Sequence, residues 1–197
     1  MTCTAIVLAA GEGSRMGDPV KQLADVGGKP LLQHVLDALA ATGLEDAVLV
    51  LGHEAERVAA AVTTPAGTRV VVNTRYADGQ AGSLRVALDA VPETARAAIV
   101  LLGDQPEVRP DAVLAVIGAH ARSGAPVCRA AYRGRAGHPV LLDRLVWPGL
   151  EELRGDAGAR GLIAAHAGRV ELVEVGGDPP EDVDTPEDLA RLRARWG

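Results

Sequence analysis

The chain of 197 residues contains no phenylalanine, and aromatic residues make up only 2% of it. Its hydrophobic core must therefore be built from alanine, valine and leucine, which favours close packing of helices against a sheet. Apolar residues reach 48% of the sequence, which is enough to fill such a core. A chain of this length suits one α/β domain, so we expect residues 1–197 to form a single domain.

Cysteine, long apolar segments and basic runs are also scarce. The spacing of the two cysteines, Cys3 and Cys128, fits no metal motif, and we expect both to be small apolar residues within strands. There is no leader pattern, and no apolar run approaches the ~20 residues of a membrane span, which predicts a cytoplasmic protein with no membrane partner. The net charge of −6 argues against nucleic acid as a partner, since neutralising its phosphates requires a basic surface.

A glycine-rich loop follows the first apolar strand. This glycine loop, residues 10–17, reads Ala-Gly-Glu-Gly-Ser-Arg-Met-Gly. Glycines at the carboxyl end of a parallel strand allow backbone N–H groups to surround a phosphate without Cβ collisions. Arg15 and Lys21 add positive charge to the same segment. The loop therefore predicts a site for a triphosphate.

Two interpretations of the glycine loop compete. One is a dinucleotide-binding fingerprint, which needs a helix that starts within the glycines and an acidic residue after the second strand. Here glycines and prolines between residues 19 and 30 delay the helix, and the second strand ends in Leu51-Gly52 without an acid. The other is the nucleotidyltransferase signature loop, which matches residues 8–17 together with Lys21. The sequence favours the second interpretation.

Strands and helices alternate along the chain. The predicted strands after the first lie at 47–51, 69–73, 97–102, 127–132, 139–142 and 170–175, and the predicted helices at 31–39, 54–62, 82–91, 110–120, 143–153, 157–166 and 186–196. This alternation predicts an α/β fold of three layers, α/β/α, around a mostly parallel, doubly wound, Rossmann-like sheet.

Carboxylates follow two apolar segments at the expected strand ends. Asp104 comes directly after a fully apolar strand, and a hard Mg²⁺ ion prefers such an oxygen ligand. A cap of the helix at Pro110 is the alternative for Asp104, but the gap is too long for direct capping. Asp184 fits a metal ligand and a helix cap equally well, and Asp182 is compatible with a merely solvated carboxylate.

Three further segments are richer in glycine and polar residues than packing requires. Residues 78–84 include Gln80, Gly82 and Ser83, and they suit a base or an anion as well as an ordinary helix cap by Ser83. Residues 137–140 read Gly-His-Pro-Val, and residues 155–160 read Gly-Asp-Ala-Gly-Ala-Arg. Both are candidates for binding an acceptor, although a lone histidine is more often structural.

Taken in order, these motifs resemble the molybdenum cofactor nucleotidyltransferases of the MobA-like family. The motifs that carry the resemblance are residues 8–17, 27–31, 103–106, 137–140, 155–160 and 182–188, which span nearly the whole chain. The guanylyl branch of that family usually has glycine at the position of Ala10. The resemblance is therefore closer to the cytidylyltransferase branch, although three residues separate Gly17 from Lys21, a wider spacing than that branch often has.

The resemblance implies the fold of nucleotide-diphospho-sugar transferases and a Mg²⁺-dependent transfer from CTP (or GTP) to the phosphate of a pterin cofactor. A molybdoenzyme or a chaperone client is an implied further partner. Catalysis is expected of Arg15, Lys21 and Asp104, and metal binding of Asp104 and Asp184. Nucleotide binding is expected of Leu8, Ala9, Ala10, Gly11, Glu12, Gly13, Ser14, Arg15, Lys21, Gln80, Gly82, Ser83 and Asp104. Acceptor binding is expected of Gln105, Pro106, Gly137, His138, Pro139 and Arg160.

Three alternatives remain at this stage. A nucleotidyltransferase that acts on a sugar phosphate or a polyol phosphate would use the same loop, but residues 137–140 argue against it. A nicotinamide- or flavin-dependent oxidoreductase would use Gly11 and Gly13. A non-catalytic cofactor-binding protein would not need Arg15, Lys21, Asp104 and Asp184 all to be intact.

Overall fold

The computed structural model describes residues 2–16, 20–152 and 159–196. The strands are β1 (Cys3–Ala9), β2 (Asp25–Val26), β3 (Lys29–Pro30), β4 (Ala47–Leu51), β5 (Thr68–Val72), β6 (Ala97–Leu102), β7 (Val127–Tyr132), β8 (Arg135–Asp143) and β9 (Val170–Glu174). The α-helices are α1 (Leu31–Ala41), α2 (Ala55–Ala61), α3 (Gln80–Asp89), α4 (Pro110–Ser123), α5 (Arg160–Ala165) and α6 (Pro186–Trp196).

Seven strands form the main sheet, in the order β5-β4-β1-β6-β8-β7-β9. The strands β5, β4, β1 and β6 are mutually parallel, and β7 is parallel to β9. Only β8, among the described strands of this sheet, runs antiparallel to its neighbours, β6 and β7. The mostly parallel sheet predicted from the alternation is confirmed, and its carboxyl edge gathers the ends of β1, β4 and β6.

Two β-hairpins change the predicted outline. The strand β8 begins at Arg135, whereas the sequence predicts a strand only over 139–142. The turn before it consists of Arg133 and Gly134, both with positive φ, as a two-residue hairpin turn requires. A second hairpin, β2–β3, turns at Gly27 and Gly28 and accounts for the late start of α1.

The helical predictions need smaller corrections. The helix α3 starts at Gln80, two residues before the predicted start, so Ser83 lies inside it and does not cap it. The segment predicted as a helix over 143–153 is a 3₁₀ segment over Arg144–Glu152. The predicted helix over 157–166 is present as α5, from Arg160 onward, and residues 153–158 lie outside the described part of the chain.

The sheet is covered on both faces, which gives the three predicted layers. One face packs against α1 and α4 through Leu32, Leu36 and Val113. The other packs against α3 and α5 through Leu84, Leu88 and Leu162. Burial of these aliphatic side chains supplies the main driving force for the fold, at about 25 cal/mol per Å² of apolar surface removed from water.

A third, smaller cluster joins the two ends of the chain. Met16, from the glycine loop, and Leu31, from the start of α1, are buried with Val183, Leu189 and Leu192. This cluster fixes α6 against the β2–β3 hairpin and the glycine loop. It therefore brings the residues near 184 to the residues near 15.

None of the helices in the described ranges is long and apolar enough to cross a membrane.

Candidate active site

The glycine loop leaves the carboxyl end of β1 and is held from below by Gln22. The Gln22 side chain, which is buried, donates from Nε2 to the carbonyls of Ala9 at 3.0 Å and Gly11 at 2.8 Å. Gly13 has a φ of +63°, and a Cβ at this position would lie 2.6 Å from Cβ of Lys21. The loop therefore requires glycine at residue 13, while Gly11, Glu12 and Ser14 remain exposed on its outer side.

Lys21 is the central cation of the site. Its side chain is only 8% exposed, and its ammonium donates to Oδ2 of Asp104 at 2.7 Å and to Oδ1 of Asp184 at 2.6 Å. Burial acts to lower the pKa of Lys21, but the two carboxylates outweigh it and raise the pKa above its usual value. Lys21 is therefore charged across the physiological pH range.

Asp104 stands at the end of β6, as predicted. The preceding Gly103 passes so close to β1 that a Cβ there would lie 2.7 Å from Cβ of Ala9. The carbonyl of Asp104 accepts a hydrogen bond from the amide of Val183 at 3.0 Å. Oδ1 of Asp104 is buried and has no hydrogen-bond partner among the described residues, so it is an unused acceptor inside the site.

Asp184 does not cap α6. The cap is a reciprocal pair in which Oδ2 of Asp188 accepts from the amide of Thr185 at 2.8 Å, and the Thr185 hydroxyl accepts from the amide of Asp188 at 3.2 Å. The carboxylate of Asp184 is thus left for the site, where its Oδ2 also accepts from Arg15 at 2.9 Å. Burial acts to raise the pKa of Asp184, yet Lys21 and Arg15 together lower it below its usual value.

Asp104 and Asp184 suit a hard divalent cation. Both carboxylates converge on one ammonium, and Oδ1 of Asp104 is free to accept a further ligand contact. Within the described ranges, no group of three or more acidic, histidine or cysteine side chains could hold a metal by itself. A cation held here would therefore need phosphate or water oxygens to complete its coordination.

A recess of about 190 Å³ lies between the glycine loop and the start of α3. Its lining includes the predicted residues Leu8, Ala10, Gly11, Gln80, Ser83 and Asp104. The Ser83 hydroxyl accepts from Nδ2 of Asn73 at 3.0 Å, which orients the first turn of α3. Gly82 is not part of the lining, and Ala9 with Gly13 lines a smaller recess of about 60 Å³ beside Lys21.

The sequence did not single out Tyr76, which also lines the 190 Å³ recess. Tyr76 is packed edge-on against His53, with ring centroids 5.9 Å apart. An aromatic ring at the mouth of such a recess can stack on a nucleobase. The sequence could have indicated this residue, because Tyr76, one of two tyrosines in the chain, comes shortly after the strand predicted over 69–73. The residues that follow such a strand are expected at the carboxyl edge of the sheet.

A larger cleft of about 320 Å³ opens on the other side of Asp104. Four predicted acceptor residues, Gln105, Gly137, His138 and Arg160, line it together with Asp182 and Arg129. Pro106 follows Gln105 and Pro139 follows His138 in the sequence, but neither proline lines the cleft. The glycines at 155 and 158 lie outside the described residues.

Two polar groups of this cleft, Asp182 and His138, have shifted pKa values. Asp182 is not merely solvated, because its Oδ1 accepts from Nε2 of Gln105 at 2.8 Å. Burial raises the pKa of Asp182, and the negative charges of Asp104 and Asp184 act in the same direction. His138 is half-buried, contacts the Val100 carbonyl at 3.4 Å and has a pKa lowered by burial, so it is neutral near pH 7.

Comparison with known proteins places these features in context. The sequence model of the family described as "MobA-like NTP transferase domain" matches residues 5–170. The nicotine blue oxidoreductase of Paenarthrobacter nicotinovorans is 33% identical over 96% of this chain and 95% of its own length.

Solved structures agree with this match. The crystal structure of Rv0371c from Mycobacterium tuberculosis is 35% identical, with a TM-score of 0.87 and 98% of each chain covered. A complex of Rv0371c with manganese is 31% identical, with a TM-score of 0.83, and covers 98% of this chain and 99% of that one. A nucleotidyl transferase from Methanothermobacter, 24% identical, shares the fold with a TM-score of 0.80 over 99% of this chain and 97% of that one.

Proposed function

The chain belongs to the MobA-like NTP transferase family, and from that premise we propose that it transfers CMP from CTP to the phosphate of a molybdopterin-type cofactor. One observation carries the proposal. The ammonium of Lys21 contacts Asp104 and Asp184 directly beneath the glycine loop, so a glycine-rich loop, a buried cation and two carboxylates converge at one point.

The proposed reaction is an attack on the α-phosphorus of CTP. An oxygen of the acceptor phosphate forms a bond to that phosphorus, the bond to the oxygen that bridges to the β-phosphorus breaks, and pyrophosphate leaves with the electron pair. The acceptor phosphate is already ionised near neutral pH, so the reaction needs no nucleophilic side chain. Rate enhancement then comes from positioning and from charge neutralisation.

Each charged group of the site has a role in this scheme. Backbone N–H groups of the glycine loop and the guanidinium of Arg15 hold the β- and γ-phosphates, which become the leaving group. Lys21 stabilises the charge that develops at the α-phosphate. Asp104 and Asp184 are the residues that would hold Mg²⁺, and the bound ion would neutralise phosphate charge. Lys21 then exchanges at least one of its carboxylate contacts for a phosphate oxygen.

We assign the nucleoside to the 190 Å³ recess. Ala10 lies on the side of this recess next to the loop, and its methyl group limits the approach of a purine to the backbone. Gln80 and Ser83, at the start of α3, offer polar groups to the edge of the base. Tyr76 offers a ring face. These features support CTP over GTP.

We assign the acceptor to the 320 Å³ cleft, which adjoins the nucleoside recess along Leu8, Gln80 and Asp104. A flat heterocycle with a phosphate arm can approach the α-phosphorus from this side. Gln105, His138 and Arg160 are the polar groups proposed to hold it. Gly137 contributes backbone to the wall of the cleft, and Pro106 and Pro139 belong to the adjoining backbone.

The experiment that tests the proposal is a matrix of nucleoside triphosphates and phosphorylated acceptors, assayed for pyrophosphate release with Mg²⁺ present. CTP with a molybdopterin-type acceptor should give the highest rate. A sugar phosphate or polyol phosphate that outperforms every pterin would reassign the acceptor but keep the reaction. No pyrophosphate release with any pair would contradict the proposal.

An oxidoreductase is the second candidate function, because the relative from Paenarthrobacter nicotinovorans carries that name. The local geometry of this chain argues against a dinucleotide fingerprint, since the glycine loop leads into a 3₁₀ turn at Ser14–Met16 and the first α-helix starts only at Leu31. Thermal shifts separate the two functions. CTP with Mg²⁺ should stabilise the protein, whereas NADH, NADPH and flavins should leave its melting temperature unchanged.

A further inference from the structure

Arg129 is a charged residue of the large cleft that the site described above does not use. It lies within β7, opposite Val140 of β8 and Leu172 of β9, and it is half-buried among apolar strand residues. The pairing of β7 with β8 shifts register between Arg129 and Ala131. Such bulges redirect strand side chains and often occur beside active sites.

The guanidinium of Arg129 is poorly compensated. Its Nε is buried and has no hydrogen-bond partner among the residues that the structure describes. No ion pair within the described ranges includes Arg129 or Arg160. A buried donor without a partner is unfavourable, so a ligand that accepts hydrogen bonds from the guanidinium compensates for part of this cost.

Arg160 lies close enough to act on Arg129. Both side chains line the 320 Å³ cleft, and burial followed by the positive charge of Arg160 lowers the pKa of Arg129. Two neighbouring guanidinium groups repel each other, and a doubly charged anion between them replaces that repulsion with attraction. Within this cleft, the carboxylate of Asp182 is engaged by Gln105, and that of Asp104 by Lys21.

We propose that Arg129 and Arg160 form a two-arginine clamp for the dianionic phosphate of the acceptor, on the side of Asp104 opposite the triphosphate loop. The inference rests on the proposed function and defines its substrate class further. The clamp selects acceptors that carry a phosphomonoester and rejects acceptors whose nucleophile is a neutral hydroxyl. A planar guanidinium fork binds two phosphate oxygens at once, which also orients the third oxygen for attack.

The test uses phenyl phosphate and phenol as probes, titrated by calorimetry into the full chain saturated with Mg²⁺ and a methylene-bridged CTP analogue. The analogue occupies the glycine loop, so phosphate binding there is blocked. Wild type should bind phenyl phosphate at least about tenfold more tightly than phenol. Arg129→Met and Arg160→Met should each weaken phenyl phosphate about tenfold or more and leave the affinity for the CTP analogue unchanged.

Arg135→Met is the matched control. Arg135 is an exposed arginine of the β7–β8 hairpin. Successive residues of a strand point to opposite faces, so Arg135 faces away from the cleft that Ala136 and His138 line. This variant should bind phenyl phosphate as wild type does. Arg129→Lys, which keeps the charge but loses the fork, should show an intermediate loss. If Arg129→Met fails to fold, the exposed Arg160 still provides the same test.

The outcomes separate this inference from the proposed function. Equal affinity of the wild type for phenyl phosphate and phenol, or an unchanged affinity in both methionine variants, would overturn the clamp even where the CTP analogue binds normally. Failure of the CTP analogue to bind would instead contradict the proposed function. In that case, phenyl phosphate titrated alone against the same variants still decides whether the clamp exists.

Discussion

Lys21 and Asp104 are joined by a hydrogen bond of 2.7 Å although 83 residues separate them along the chain. The contact places the end of β6 directly beneath the glycine loop. Because Lys21 is buried and held by Asp104 and Asp184 together, its ammonium is fixed beneath the loop before a nucleotide arrives. Preorganised charge of this kind is the largest single contributor to many enzymatic rate enhancements.

Replacing Asp104 by asparagine keeps the size of the side chain and removes the charge that Mg²⁺ requires. We expect turnover to fall by about a hundredfold or more, with folding intact by circular dichroism. Asp184→Asn should act in the same direction, since Thr185 and Asp188 rather than Asp184 cap α6. Asp37→Asn, at an exposed ion pair with Lys29, is the control. Near-normal pyrophosphate release by Asp104→Asn would make Asp104 structural.

Arg15→Ala should weaken the binding of CTP more than the binding of CMP. Arg15 is 69% exposed and reaches the site from the loop, where it is assigned to the β- and γ-phosphates that CMP lacks. Calorimetric titrations of the two nucleotides in the presence of Mg²⁺ measure the difference. Equal losses for both ligands would move Arg15 away from the leaving group.

Gly13→Ala tests the close approach of the loop to Lys21. The new Cβ would meet Cβ of Lys21 at 2.6 Å, at a backbone φ of +63° that strains any residue with a side chain. We expect a lower melting temperature and at least about tenfold weaker CTP binding, because the ammonium of Lys21 is displaced. Gly11→Ala is the matched control for stability, since its Cβ meets nothing within 4 Å and its φ is not positive. Equal melting temperatures for the two variants would contradict the close approach.

Ala10→Gly should shift nucleotide preference from CTP toward GTP. The shift should be partial, because excluding one methyl group is worth about 1–3 kcal/mol and the base is also assigned to Gln80 and Ser83. Competition between CTP and GTP for wild type and variant gives the ratio. A wild type that already prefers GTP would contradict the assignment of the base, and an unchanged ratio would show that Ala10 does not select it.

The cap of α6 predicts a dependence of stability on pH. Hydrogen bonds to Thr185 lower the pKa of Asp188 to about 2 from an ordinary value of 3.8. A lowered folded-state pKa means that the stabilisation is complete above the ordinary value and is lost as the pH falls toward 2. Asp188→Asn should therefore reduce the melting temperature at pH 6, and the difference from wild type should shrink below pH 4. A difference that grows on acidification would contradict this sign.

Much of the fold follows from local sequence. The apolar runs of β4 and β6 are predicted with the bounds that the structure has, because strands buried on both faces need continuous aliphatic residues. The antiparallel direction of β8 is not a local property, since it depends on which strand pairs beside it. The turn at Arg133 and Gly134 was also missed, because arginine rarely adopts a positive φ.

The site was only partly accessible from sequence for a similar reason. Residues on the glycine loop and after β6 stand next to obvious strand ends, so Lys21 and Asp104 could be proposed from the sequence. Arg129 occupies the middle of a strand, where a polar residue ordinarily faces solvent, and only the sheet order brings it to the cleft. The sequence also did not show that Asp182 is held in place, because its hydrogen-bond donor, Gln105, lies far away in the chain.

The cluster of Met16, Val183, Leu189 and Leu192 also dictates when the site can first form. When a nascent chain has emerged from the ribosome only as far as β9, the glycine loop, Lys21 and Asp104 are present. Asp184 and the apolar residues that cover Met16 are still missing. The ammonium of Lys21 then lacks one of its two carboxylate partners. The site is therefore complete only once Asp184 has emerged, and removal of α6 would take from Met16 its contacts with Leu189 and Leu192.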